Sequence, residues 1–170
     1  MHLKNITIKT ARLEELKKFY SSQLALPVQE VEKSVAAIQI GESLLRIEET
    51  NTGQPFYHFA INIPANKIEK AREWLEEKKI ELLWMEDYKG EIADFVSWHA
   101  KSVYFFDPAG NIVELIARFD LNNSSPEQFS SRQFLCISEI GLVFPEDQID
   151  EQVNQILIEN AGVTQVLRLD

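Results

Sequence analysis

Polar and apolar residues alternate over residues 3–9, Leu-Lys-Asn-Ile-Thr-Ile-Lys, and this period of two predicts a strand. Over 12–24 the period lengthens. Leu13, Leu16, Phe19, Tyr20 and Leu24 fall at helical spacing, and Pro27 stops the run. Two short strands follow at 34–40 and 43–48, joined by a tight turn at Gly41-Glu42, with room for one more near 28–31. After the loop Thr50-Asn-Thr-Gly-Gln-Pro55 the pattern restarts. Residues 56–63 alternate as a strand. Residues 66–78 form a helix with Ile68, Ala71, Trp74 and Leu75 on one face, and 80–84 read as a strand. Residues 102–106 and 111–118 close the unit.

The last two strands enclose the strongest local signal, Val103-Tyr-Phe-Phe-Asp-Pro-Ala-Gly-Asn-Ile-Val-Glu-Leu-Ile116. Asp107, Pro108 and Gly110 fit positions i, i+1 and i+3 of a type I turn, which makes this a hairpin. Glu114 stands alone inside an apolar strand. Such a carboxylate must face solvent, pair with a cation or ligate a metal.

The two units repeat each other. Asn5-Ile-Thr-Ile matches His58-Phe-Ala-Ile, and Phe19-Tyr20 matches Trp74-Leu75. The second carries an insertion of roughly fifteen residues near 86–101, within ordinary loop variation. A plain surface loop and a lid over a pocket are both readings of it. Residues 1–50 thus form a first module, 55–118 a second, and 119–133 a polar linker. Residues 134–170 give a partial third copy, a strand at 134–144, a helix at 147–160 and a strand at 163–169. A module that stops halfway leaves strand edges open to another chain, so a dimer contact or a shortened chain is expected.

Composition narrows the partners. The chain has 170 residues, 45% hydrophobic and 26% charged, ordinary for a soluble globular protein. Its 17 basic and 27 acidic residues give a net charge of −10, which repels phosphate backbones and argues against nucleic acid. No apolar stretch is long enough to span a membrane, and a cytoplasmic location is expected. Cys136 is the single cysteine, which excludes intrachain disulfides and thiolate clusters. No Gly-x-Gly pair and no Gly-x-Ser-x-Gly elbow occurs, so dinucleotide, Walker and hydrolase motifs are missing.

The Asp-Pro-x-Gly-Asn turn, with Glu four residues after Gly110, resembles the last hairpin of the vicinal oxygen chelate superfamily. That superfamily includes glyoxalases, bleomycin-resistance proteins, fosfomycin-resistance enzymes and extradiol dioxygenases. The resemblance implies an α+β fold in which paired βαβββ modules form a cupped, barrel-like mixed sheet, here with a C-terminal βαβ extension. It also implies metal ligands on the first and last strands of each module. His58 and Glu114 match those positions in the second module. In the first, Asn5 and Arg46 stand there, with Glu48 two residues on. Asparagine is a poor transition-metal ligand and a guanidinium is none. Arg46 could instead replace the metal by pairing with Glu114. If His99 swung inward, His58, His99 and Glu114 would make a two-histidine, one-carboxylate set. Trp98 and Tyr104 are candidates to line a pocket, against the plainer role of core filling.

Two functions remain open, beside an assembly or sensor role for the incomplete third module. One is a small-molecule-binding protein whose pocket lies between the modules, metal-free or with a degenerate metal site, taking a polar or anionic organic ligand. The other is a lyase, isomerase or dioxygenase acting on vicinal oxygens through one divalent ion, zinc, nickel, iron or manganese. A homodimer fits either.

Overall fold

The computed structural model describes residues 2–141. The first module runs β1 (Asn5–Thr10), α1 (Leu13–Lys18), β2 (Val28–Glu32), β3 (Val35–Ile40) and β4 (Ser43–Glu49). Its sheet has the order β1-β4-β3-β2, with β1 parallel to β4 and the other pairs antiparallel. The second repeats the scheme with β5 (His58–Ile63), α2 (Ile68–Glu77), β6 (Ile92–Phe95), β7 (Ala100–Phe106) and β8 (Ile112–Arg118). Its order is β6-β7-β8-β5-β9, where β9 (Cys136–Gly141) adds antiparallel to the edge of β5. The α+β class and the paired modules expected from the sequence are present, among the described residues as two separate mixed sheets with no closed barrel.

Alternation decides which way each strand faces. Ile6 and Ile8 on β1 and Leu45 and Ile47 on β4 point toward the helices. So do Phe59, Ile61, Val113 and Leu115 in the second sheet, and all eight join one continuous core. Phe19, which follows α1, packs on Phe105 of β7 with ring centroids 6.3 Å apart. The helices therefore lie between the sheets. The intervening side chains (Asn5, Arg46 and Glu48; His58 and Glu114) point outward from opposite sides of the molecule. Tyr20 ties the halves together. Its hydroxyl donates to Asp107 Oδ2 (2.9 Å), while Asp107 Oδ1 accepts the amides of Ala109 and Asn111. Burial is the main cause that raises the Asp107 carboxyl above its ordinary value.

Two sequence expectations change. The strand expected at 80–84 survives only as a bridge from Leu82 to Phe105 and a bond from Leu83 N to Tyr104 O. The rest of that edge of β7 is taken by β6, inside the presumed insertion, because Ile92 and Ala93 pair with Val103 and Ser102. The polar stretch 119–133 is not a free linker. Phe129 and Phe134 are buried edge-on against Trp74 of α2, at 5.7 and 6.0 Å, so apolar burial pins the C-terminal end of this polar stretch. The strand expected at 134–144 is β9, whereas the helix at 147–160 and the strand at 163–169 lie outside the described residues.

β9 is held from both sides. Leu3 N donates to Ile137 O (2.9 Å), Ile137 N to Ser43 Oγ (2.8 Å) and Glu42 N to Leu135 O (2.8 Å). Gly41 makes the last contact fit. It sits at φ +55°, and a Cβ there would lie 2.1 Å from Leu135 O.

Candidate functional site

The two modules correspond residue for residue. Asn5 pairs with Leu44 and Thr7 with Arg46, just as His58 pairs with Ile112 and Ala60 with Glu114. The strand registers thus place Asn5 opposite His58 in the repeat, and Arg46 opposite Glu114. What the positions carry is different. His58 Nε2 lies 3.0 Å from Glu114 Oε2, and Ser102 Oγ donates to Glu114 Oε1 at 2.5 Å. Glu114 is 3% exposed, so both carboxylate oxygens spend their strongest lone pairs inside the protein. Tyr104, directly across from Glu114 on β7, places its ring 6.0 Å from the imidazole. Burial, then the Glu114 charge, push the Tyr104 hydroxyl far above an ordinary phenol.

The other expected residues lie elsewhere. Arg46 Nε bonds Glu48 Oε1 at 3.0 Å on its own strand. The expected Arg46–Glu114 pair does not form within the chain, because the two side chains leave opposite sheets. Asn5 is exposed on the Arg46 side. Trp98 stacks on Phe95 at 5.5 Å, and Tyr88 meets Phe95 edge-on, in an aromatic ladder at the β6 edge. His99 is exposed and faces Asp120, with Nδ1 3.1 Å from Oδ1, so it does not join His58 and Glu114. Its backbone is left-handed at φ +46°, closing the turn at Val96–Trp98.

A chelated metal would need more donors than this face offers. Among the described residues, no cluster of three or more His, Cys, Asp or Glu is placed to hold an ion. His58 and Glu114 already face each other, and their first-module counterparts are Asn5 and Arg46 on the far side. The donor set of the described residues of one chain does not fit a transition-metal site.

Sequence reasoning missed three residues on the second outer face. Ser102 was reachable, since the hairpin fixes its place two residues before Tyr104. Glu139 and Arg118 were not. Register sets Glu139 beside Ala60, and Arg118 closes an ion pair on it. No local pattern announces that β9 joins β5. Burial and then Glu114 raise the Glu139 carboxyl above its ordinary range. Cys136 is half-buried with its thiol raised by burial, in line with an inert side chain.

No family model and no curated protein matches the sequence. Solved structures do match. Lactoylglutathione lyase from Agrobacterium tumefaciens is 17% identical, with a TM-score of 0.54, covering 66% of this chain and 90% of its own. A glyoxalase/bleomycin resistance protein/dioxygenase from Alicyclobacillus acidocaldarius is 15% identical with a TM-score of 0.55, covering 69% and 92%. A fosfomycin resistance protein from Listeria monocytogenes, complexed with Mn(II) and a dihydroxypropylphosphonic acid, is 19% identical with a TM-score of 0.50, covering 74% and 92%. Repeated βαβββ units and these likenesses give the chain the fold of the glyoxalase/bleomycin resistance/dioxygenase proteins, that of the vicinal oxygen chelate superfamily.

Proposed function

We propose that this protein binds a small polar organic molecule, without a metal, on the outer face of its second sheet. The observation that carries the reading is the saturation of Glu114. A buried carboxylate bonded by His58 on one oxygen and Ser102 on the other anchors an imidazole rather than waiting for an ion. His58 is the accessible member, its side chain 26% exposed against 5% for Glu114. With Nε2–H donated to Glu114, Nδ1 is left to accept from a ligand. Tyr104 forms one wall beside it.

The rest of the site comes from a second copy. Outward-facing sheets on opposite sides cannot make a cup within one chain. In a homodimer, the Asn5, Arg46 and Glu48 face of one chain covers the His58 and Glu114 face of the other. Any anionic group on the ligand then meets Arg46. Among the described residues no helix is long and apolar enough to cross a membrane, and a cytoplasmic setting keeps the lone thiol Cys136 reduced.

The second reading is a divalent-metal-dependent lyase, isomerase or dioxygenase. It draws on the proximity of His58 and Glu114 and on the manganese named for the Listeria structure. Elemental analysis of protein purified without a chelating tag separates the two. Metal-free protein that takes up no zinc, nickel, iron or manganese on dialysis supports the binding reading. Near-stoichiometric metal lost on His58→Ala replaces it with the enzyme. Light scattering after gel filtration tests the dimer, and a monomer at micromolar concentration rejects the shared cup.

A further inference from the structure

β9 belongs to neither module, yet it borders the His58–Glu114 pair at two points. Gly141 lies against His58, and a Cβ there would sit 3.2 Å from the His58 Cβ, so β9 sets the room the imidazole has. Glu139 and Glu114 flank Ala60 on the two neighbouring strands. With strands spaced about 4.8 Å, their Cα atoms stand roughly 10 Å apart with only a methyl group between them.

We propose that β9 makes this face selective for a cationic head group (an ammonium, amidinium or guanidinium), with Glu139 as the residue that selects it. The inference deepens the binding reading above and rests on it. Among the described residues two carboxylates share the face with one guanidinium, Arg118, which is paired with Glu139. Asn62 lies two residues along β5 from Ala60 and faces the same way. It is 6% exposed, and its Oδ1 has no hydrogen-bond partner. Its amide reaches only Cys136 Sγ, at 3.9 Å. The other orphan nearby, Arg118 Nε, is a donor on a side chain already engaged. Glu139 and Asn62 together leave acceptors over, and a donor-rich cation is the group that supplies them. The raised Glu139 carboxyl agrees, since a second positive charge would relieve its burial beside Glu114.

Benzamidine and benzoate carry the same ring with opposite charge and serve as probes, read by the ring resonances of His58 in the full chain. Benzamidine is expected to shift His58 and benzoate to bind at least about tenfold more weakly, the effect of one charged hydrogen bond. Glu139→Gln should weaken benzamidine by about the same factor, and Arg118→Met, which frees Glu139, should tighten it. Arg118→Met carries the test by its opposite sign if Glu139→Gln fails to fold. Benzoate binding as well as benzamidine, or benzamidine indifferent to both substitutions, overturns the cation assignment and leaves the binding reading standing. If neither probe moves His58, both fall.

Discussion

The two modules share a topology and a strand register, yet they treat their outward-facing polar residues in opposite ways. On the first sheet, Arg46 and Glu48 are each about one-third exposed and satisfy each other along one strand, with water available to both. On the second, Glu114 is buried and depends on His58 and Ser102 from two different neighbouring strands. The second sheet also carries a fifth strand, β9, which brings Glu139 alongside. A duplicated fold preserves geometry cheaply, because register follows from the apolar half of each strand. The chemistry of the other half is free to diverge. Where it became buried, Glu114 found partners on both neighbouring strands, while Asn62 Oδ1 and Arg118 Nε beside β9 stayed without one.

The largest test of that difference removes β9. Gly41, in the first module's β3–β4 turn, holds a φ of +55° against Leu135 O. Gly41→Ala strains the turn and pushes a methyl into that carbonyl. A loss of about 2–4 kcal/mol is expected, from overpacking together with left-handed strain. Urea unfolding measures it, and an unchanged midpoint would mean β9 is not anchored there. Glu114→Ala comes next. It leaves His58 and Ser102 without their acceptor at a site screened from water, for about 2–3 kcal/mol. Loss below about 0.5 kcal/mol would contradict the saturated carboxylate on which the proposed site depends.

How much of this was legible in the sequence follows the reach of each signal. The Asp107–Gly110 hairpin was plain because its turn chemistry is local. Gly110 N donates to Asp107 O at 2.9 Å, with Gly110 at φ +84°. The pairing of Asn5 with His58 and Arg46 with Glu114 in the repeat was readable because apolar alternation fixes register. The orientation of the two sheets was not. Alternation says that Arg46 and Ile47 point oppositely, but not which side meets the other module; the contact of Phe19 with Phe105 decides that. For β6, two apolar segments competed for one edge of β7, and periodicity cannot rank them. Glu139 was out of reach, since its place depends on pairing between residues 60 and 139.

A smaller effect sharpens the role of β9 through pH. Burial and Glu114 raise the Glu139 carboxyl in the folded state. The folded protein therefore binds this proton more readily than the unfolded chain. The resulting stability is fully present below the ordinary carboxylate value and is lost as pH rises through the raised one. Glu139→Gln abolishes this dependence. On acidification from neutrality toward the ordinary value, wild type should gain stability relative to the variant, as read from paired urea melts. Parallel curves would place Glu139 in solvent, away from Glu114.

The smallest expected effect is on the first sheet, and it tests the comparison from its quiet side. Arg46 and Glu48 are a pair about one-third exposed, 3.0 Å apart, in which water can replace either partner. Arg46→Ala should cost less than about 1 kcal/mol in the isolated chain, the usual worth of an exposed ion pair. The same substitution should weaken dimerisation if Arg46 covers the second outer face of another copy. A melting temperature within error of wild type, with a raised dimer dissociation constant, is therefore the expected combination. A loss of several kcal/mol in the monomer would show that Arg46 meets a buried carboxylate after all, and the contrast between the two sheets would not hold.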